Sequence, residues 1–152
     1  MKIQNDFEDL IKENLELLGI KKNQFEIIGE DGQIKSGSNK ETEDGFHYLD
    51  FEFRQVLEIE NMPVSSLALL TLLVHQFVLA LGEREGLQDI NIDFGPHNLG
   101  KSLDIEITFG VREPVYLVEV ENSPIEHSGK KWGFGTGGLD VAGSLADMNV
   151  NA

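Results

Sequence analysis

The amino-acid sequence predicts a single α+β domain, in which a mostly antiparallel mixed sheet is packed by a long apolar helix and by an amphipathic N-terminal helix. Two observations lead to this prediction. Several segments alternate apolar and polar residues, which is typical of strands with one wet face. The segment Leu67–Leu81 is instead apolar nearly all round, as in a helix that is covered on more than one side.

Apolar spacing and capping residues predict the two helices. Near the N-terminus, apolar residues recur at helical intervals, Asn5 or Asp6 can cap the helix, and Gly19 can end it. The long helix is expected to take its N-cap serine from Pro63–Ser66 and to end at Gly82. The apolar residues of the first helix are Phe7, Leu10, Ile11, Leu15 and Leu18.

The strands are predicted from alternation and from turn residues. Glu30–Gly32 is interpreted as a turn that closes a short hairpin, and residues 36–45 as a long polar loop that is mobile when exposed. The predicted strands are Phe25–Ile28, Gln33–Lys35, Phe46–Ile59, Ile90–Phe94, Leu103–Phe109 and Val115–Val120.

The regular pattern is lost after Asn122. Residues 1–122 are therefore predicted to form the α+β domain, and residues 123–152 a Gly-rich, flexible C-terminal arm. Trp132 and Phe134 lie in this arm, and aromatic side chains supply much of the contact energy when they are buried at interfaces. We expect the arm to dock on a partner.

The charge excludes several classes of partner. The chain carries 27 acidic and 12 basic residues, a formal net charge of −15, which repels phosphate backbones and anionic membranes. We therefore predict no specific nucleic-acid binding and no membrane contact. Leu67–Leu81 is too short for a bilayer, which needs about 20 apolar residues, and Met1–Asp6 lacks the features of a secretory signal. The absence of cysteine excludes disulfides, thiolate metal sites and cysteine nucleophiles.

Three patterns in the sequence could indicate chemical sites. The glycines of Gly133–Gly138 lack the Gly-Lys-Ser/Thr ending of a phosphate loop. Acidic strand residues could bind a divalent metal, but the position where nucleases place a lysine holds Thr108, so a solvated sheet face is favoured. The four histidines show no ligand spacing, and Ser65 and Ser66 suit a helix cap better than a nucleophile. The acidic strand residues are Asp50, Glu52, Asp93, Asp104 and Glu106, and the histidines are His47, His75, His97 and His127.

No pattern amounts to an active site, so the sequence predicts a protein that is not an enzyme and has no catalytic residue, metal site or cofactor. The candidate functional residues are apolar and are expected at an interface. They are Trp132 and Phe134 in the arm and Leu73 and Phe77 on the long helix.

The order of elements from Phe46 to Asn122 resembles the tail completion protein R family of contractile-tailed phages, whose members are tail terminators. The similar stretch begins with a strand at Tyr48, continues through the helix Leu67–Leu81, and ends with strands on either side of Arg112–Glu113. It covers roughly half of the chain, and it is a likeness of pattern without a catalytic motif.

The resemblance implies a subunit of a phage virion or phage-tail-like particle, assembled in the host cytoplasm. Such a subunit caps the head-proximal end of the tail tube, usually as a hexameric ring. Its partners would be further copies of itself, the tail tube protein, and the sheath or head–tail connector protein. Two alternatives stay open: a small acidic binding or inhibitor protein that neutralises a basic partner, and a metal-dependent hydrolase that uses the acidic strands.

Overall fold

A computed structural model of the chain describes residues 1–135 and confirms the α+β class, with a mostly antiparallel, curled sheet. The helices are α1 (Lys2–Glu13), α2 (Leu15–Leu18) and α3 (Leu67–Ala80). The strands are β1 (Phe25–Ser36), β2 (Glu41–Thr42), β3 (Gly45–Pro63), β4 (Asn91–His97), β5 (Ser102–Glu119), β6 (Ile125–His127) and β7 (Lys130–Phe134).

The strand order in the sheet is β1-β3-β5-β7-β6, with β2 paired to β3 and β4 paired to β5. The chain forms two compact units. The helical unit comprises Gln4–Asp31 and Phe53–Val111, and the hairpin unit comprises Met1–Ile3, Gly32–Glu52 and the described residues from Arg112 onward. Strands β1, β3 and β5 contribute residues to both units.

Three aromatic rings lie at the centre of the helical unit. Phe7 of α1 lies 4.9 Å from Phe77 of α3 and 5.2 Å from Phe109 of β5, measured between ring centroids. Aromatic rings at such separations contribute dispersion and quadrupole energy in addition to the burial of their apolar area. One face of α3 therefore packs against its own chain, and its fully or nearly fully buried residues are Leu70, Val74 and Val78.

Helix α1 begins at Lys2, so the prediction that Asn5 or Asp6 caps it is wrong. The amide of Ile3 donates a hydrogen bond of 2.9 Å to a carboxylate oxygen of the buried Glu113. The first amides of a helix have no partner within the helix. A carboxylate placed there is also stabilised by the positive end of the helix dipole. A distant side chain thus takes the role that a local cap was expected to fill.

The first predicted helix is divided in two, because α1 ends at Glu13 and α2 begins at Leu15. The glycines predicted to end the two helical segments are confirmed. Gly19, with φ of 71°, follows α2 in the left-handed conformation, and Gly82, with φ of 89°, follows α3. Ser66 occupies the N-cap position of α3, although its side chain makes no capping hydrogen bond.

The predicted hairpin in β1 is wrong, because a single strand runs from Phe25 to Ser36. Asp31 has φ of 54°, a left-handed conformation that is typical of a bulge within a strand as well as of a turn. Likewise, β5 is one strand where two were predicted, and Pro114 lies inside it. The polar segment 36–45 holds β2, and the amides of Gly37 and Asn39 bond to carbonyls of β3.

The predicted domain boundary at residue 122 is wrong, because β6 and β7 form a hairpin that pairs with β5. Three residues of β7 extend the ladder, with Trp132 opposite Glu119 and Phe134 opposite Leu117. Strands this short show too few alternations to be recognised in a Gly-rich segment. The rest of the predicted arm, residues 136–152, lies outside the described residues.

Within residues 1–135, no helix is long and apolar enough to cross a membrane. Helix α3, the most apolar one, has 14 residues.

Candidate functional site

An open, acidic groove of about 400 Å³ lies in the helical unit, on strands β3, β4 and β5. The register of β4 and β5 places Asp93 opposite Glu106 and Gly95 opposite Asp104, so these residues share one face of the sheet. On β5 the intervening Ile105 is buried, as the alternation predicted. The carboxylates that line the groove are Glu58, Glu60, Asp93, Asp104 and Glu106.

An amide and a histidine ring contact one carboxylate of this acidic face, that of Asp104. Asp104 accepts a hydrogen bond of 2.9 Å from the amide of Asn61 and lies 3.2 Å from the ring Nδ1 of His97. Arg54 is not part of the groove lining and forms ion pairs with Glu30 and Asp31. The groove therefore has one fixed carboxylate, that of Asp104, and four more acidic side chains. Their combined negative field suits a cationic ligand by charge.

The structure brings together three of the five acidic residues that were weighed as metal ligands, Asp93, Asp104 and Glu106. The other two lie in the hairpin unit, where Asp50 is hydrogen-bonded to His47 at 2.8 Å and Glu52 to Arg112 at 2.7 Å. Among the described residues, no group of three or more histidines and carboxylates is arranged to hold a metal ion.

Helix α3 exposes a second candidate surface, which we call the outer stripe. Ala68, Leu72, His75 and Leu79 are all exposed, with exposed fractions of 59% for Leu72 and 63% for Leu79. Their spacing of four, three and four residues places them on one face of the helix, as in a coiled-coil seam. No aspartate, glutamate, lysine or arginine occurs from Leu67 to Ala80, and the polar residues Thr71, His75 and Gln76 are exposed. The helix is expected to be covered on more than one side, and residues 1–135 cover its inner side only.

The sequence reasoning chose Leu73 and Phe77 as interface residues of this helix. Both are half-buried, and Phe77 contacts Phe7 and Phe109 on the inward side. Leu72 and Leu79 of the outer stripe were missed. Their four-three-four spacing is visible in the sequence, but a helix that is apolar nearly all round offers more than one such stripe, so spacing alone does not select one.

The two aromatic residues chosen from the arm lie in β7. Trp132 stacks on Phe46 with centroids 5.7 Å apart, and its indole N–H donates a hydrogen bond of 3.0 Å to the carbonyl of His127. Trp132 and Phe134 are both half-buried. The hairpin unit therefore already supplies a stacking partner and a hydrogen-bond acceptor for the tryptophan.

A chain of hydrogen bonds that the sequence does not predict links Ser38, between β1 and β3, to His47 and Asp50 of β3. The ring Nδ1 of His47 lies 2.9 Å from the hydroxyl of Ser38, and its Nε2 lies 2.8 Å from Asp50. The amide of Ser38 also donates to Nδ1 at 3.0 Å. A neutral imidazole nitrogen has one lone pair, and this amide competes for it with the hydroxyl proton. The contacts accordingly fix the loop on β3 more effectively than they activate the serine.

Two carboxyl groups of the hairpin unit have pKa values that are shifted in opposite directions. At Glu52, burial acts to raise the pKa, but hydrogen bonds from Arg112 and Lys35 outweigh it and hold the pKa below its ordinary value. At Glu113, burial raises the pKa, and the amide of Ile3 only partly offsets this effect. The second oxygen of Glu113 is buried and makes no hydrogen bond within residues 1–135. Both groups are engaged in holding the fold.

The fold and the surfaces define an acidic α+β protein with an uncharged helix face and an acidic sheet groove. Comparison with protein-family models, with curated proteins and with solved structures finds no match to this chain.

Proposed function

We propose that this chain is a structural subunit that works by self-association, a tail-terminator-like protein that caps the end of a tail tube as a ring. One observation carries the proposal: the outer stripe of α3 is exposed and uncharged in a chain of net charge −15. Large exposed apolar side chains along one helix face mark protein interaction surfaces. The order of elements resembling tail completion proteins supports the same function.

The proposed subunit associates with copies of itself, with the tail tube protein, and with the sheath or connector protein, in a virion or tail-like particle. Each copy carries −15, so the subunits repel one another at low ionic strength. The Debye length falls from about 30 Å at 0.01 M salt to about 10 Å at 0.1 M, so added salt strengthens assembly. An acidic ring also gives DNA a lumen to which it does not adhere.

Light scattering across a series of salt and protein concentrations tests this proposal, together with co-sedimentation of the protein with purified tail tubes. Oligomers that grow with salt and concentration, or recruitment to tube ends, are the expected results. A protein that stays monomeric under all these conditions and is not recruited to tubes overturns the proposal.

The acidic groove favours a second candidate function, the neutralisation of a basic protein partner. Its five carboxylates face a space of about 400 Å³, which a lysine or arginine side chain would enter by charge complementarity. Calorimetric titration with an arginine-rich peptide tests this function. Asp93→Asn with Glu106→Gln should weaken binding, and Glu13→Gln with Glu16→Gln, which removes two exposed charges outside the groove lining, is the matched control.

A further inference from the structure

We propose that the outer stripe of α3 is the docking surface for the tip of the β4–β5 hairpin of a second copy of this chain. The hairpin tip is residues 98–101, which join β4 to β5 and include Leu99. The inference rests on the self-association proposed above, and it names the two surfaces that meet.

The hairpin tip holds a leucine in an unfavourable state. Leu99 is 100% exposed, and its backbone has φ of 58° and ψ of 32°. In this left-handed region the side chain of any residue except glycine crowds the backbone, and leucine lacks the polar atoms that let asparagine tolerate it. Its side chain buries no apolar area against the residues that the structure describes. A leucine held out in this way becomes favourable when another molecule buries it.

The outer stripe has the chemistry and the shape to receive such a side chain. Ala68 and Leu79 are eleven residues apart, so the stripe extends over about 16 Å of helix. Rows of side chains on a helix leave grooves between them, into which an apolar side chain from a partner packs. Because the stripe holds no aspartate or glutamate, a leucine there does not desolvate a carboxylate.

Charge complementarity favours a second copy as the occupant. Lys101 lies at the hairpin tip and is exposed, while Glu83 lies just beyond the C-terminal end of α3 and is also exposed. The C-terminal end of a helix carries a partial negative charge, which adds to the attraction for a lysine. One chain thus supplies the projecting leucine, the apolar stripe and a charge of each sign. Contacts between two different surfaces of one chain are the kind that close a ring.

Two substitutions at exposed positions, Leu99→Glu and Leu72→Glu, test the contact directly. Each should weaken self-association by more than about tenfold, since a charge replaces an apolar side chain that the contact would bury. The matched control is Leu17→Glu, which adds the same charge at another exposed leucine of the helical unit. The circular dichroism spectra of all three variants should match that of the parent protein, because these side chains are exposed.

A mixture of two variants distinguishes contact between unlike surfaces from contact between like surfaces. Leu99→Glu retains an intact outer stripe, and Leu72→Glu retains an intact hairpin tip. Each should be monomeric alone, and the two together should form a 1:1 complex that grows no further. If Leu99→Glu assembles as the parent does, or if the mixture forms no complex, the inference is wrong.

The charged pair gives an independent measurement. Lys101→Glu should weaken assembly, and Lys101→Glu combined with Glu83→Lys should restore it in part. Failure of both single apolar variants to alter an assembly that the parent protein does form overturns the docking surface and leaves the proposed function standing. A parent protein that never assembles and is not recruited to tubes overturns both proposals.

Discussion

The two faces of helix α3 both carry large apolar side chains but lie in opposite environments, and the polar residues Thr71, His75 and Gln76 are all on the exposed side. The inner face places Leu70, Val74 and Val78 in the core, and the outer face leaves Leu72 and Leu79 in solvent. The difference teaches that a helix with apolar side chains on both faces needs two covers, and residues 1–135 of this chain supply one. Stability should depend on the inner face, and association on the outer one.

Val74→Asp is expected to have the largest effect on stability. Val74 is fully buried, and an unpaired carboxylate in such a site costs several kcal/mol, about 4 or more, unless the structure opens to hydrate it. Urea denaturation of the purified variant, or its loss from the soluble fraction, measures the effect. Leu72→Asp, two residues away on the outer face, should change the free energy of unfolding by less than about 1 kcal/mol. Equal losses at both positions would show that the two faces do not differ.

Phe77→Ala should destabilise the helical unit by about 3 kcal/mol, the low end for aromatic truncations because Phe77 is half-buried. The variant loses the ring contacts with both Phe7 and Phe109. Thermal unfolding of a double-mutant cycle with Phe7→Leu separates the Phe7–Phe77 contact from the cavity left behind. Additive losses would show that the aromatic pair contributes nothing specific to the core.

The two shifted carboxyl groups of the hairpin unit should respond to pH with opposite signs. The lowered pKa of Glu52 means that its stabilising contribution is present above the unfolded-state pKa and is lost as the pH falls through the folded-state pKa. Glu52→Gln should therefore lower the melting temperature at neutral pH, and the difference from the parent protein should shrink in acid.

The raised pKa of Glu113 means the reverse. Its contribution is fully present below the unfolded-state pKa and is lost as the pH rises through the folded-state pKa. Glu113→Gln keeps an acceptor for the Ile3 amide and removes the buried charge, so this variant should unfold at a higher temperature than the parent at neutral pH. Both variants and the parent protein should be compared by melting curves measured from pH 3 to about pH 8, an interval that includes the pH at which carboxyl groups titrate. A lower melting temperature for Glu113→Gln at neutral pH would show that the helix needs the charged cap.

Much of the fold could be predicted because alternation and helical spacing are local properties. Asp104 and Glu106 face outward and Ile105 and Ile107 inward, as their alternation indicated. The start of α1 could not be found in this way, because its cap, Glu113, is 110 residues away from Ile3. Tertiary contacts of this kind leave no signal in a sequence window.

The candidate site was predictable only in part. The acidic face followed from the strand pattern. Strand register brings Asp93, Asp104 and Glu106 together. Asp50 and Glu52 are absent from this group because they belong to the other unit. Leu72 and Leu73 are neighbours of identical type, and packing against Phe7 and Phe109 decides which side of α3 faces inward. Trp132 and Phe134 drew attention as aromatic residues in a Gly-rich segment, yet both pair within the sheet.

The smallest expected effect has the opposite sign and concerns Leu99, the exposed leucine at the hairpin tip. Leu99→Asn should stabilise the free protein by about 1 kcal/mol, because asparagine tolerates the left-handed conformation that costs leucine about 1–2 kcal/mol. Leu99→Ala retains a β-carbon and should leave stability near that of the parent. Urea denaturation of the three proteins in dilute solution resolves the difference. If Leu99→Asn is more stable as a monomer and weaker in self-association, the leucine is retained for contact at a cost in monomer stability. If asparagine stabilises the monomer and assembly is unchanged, the strain at the hairpin tip has no connection with assembly.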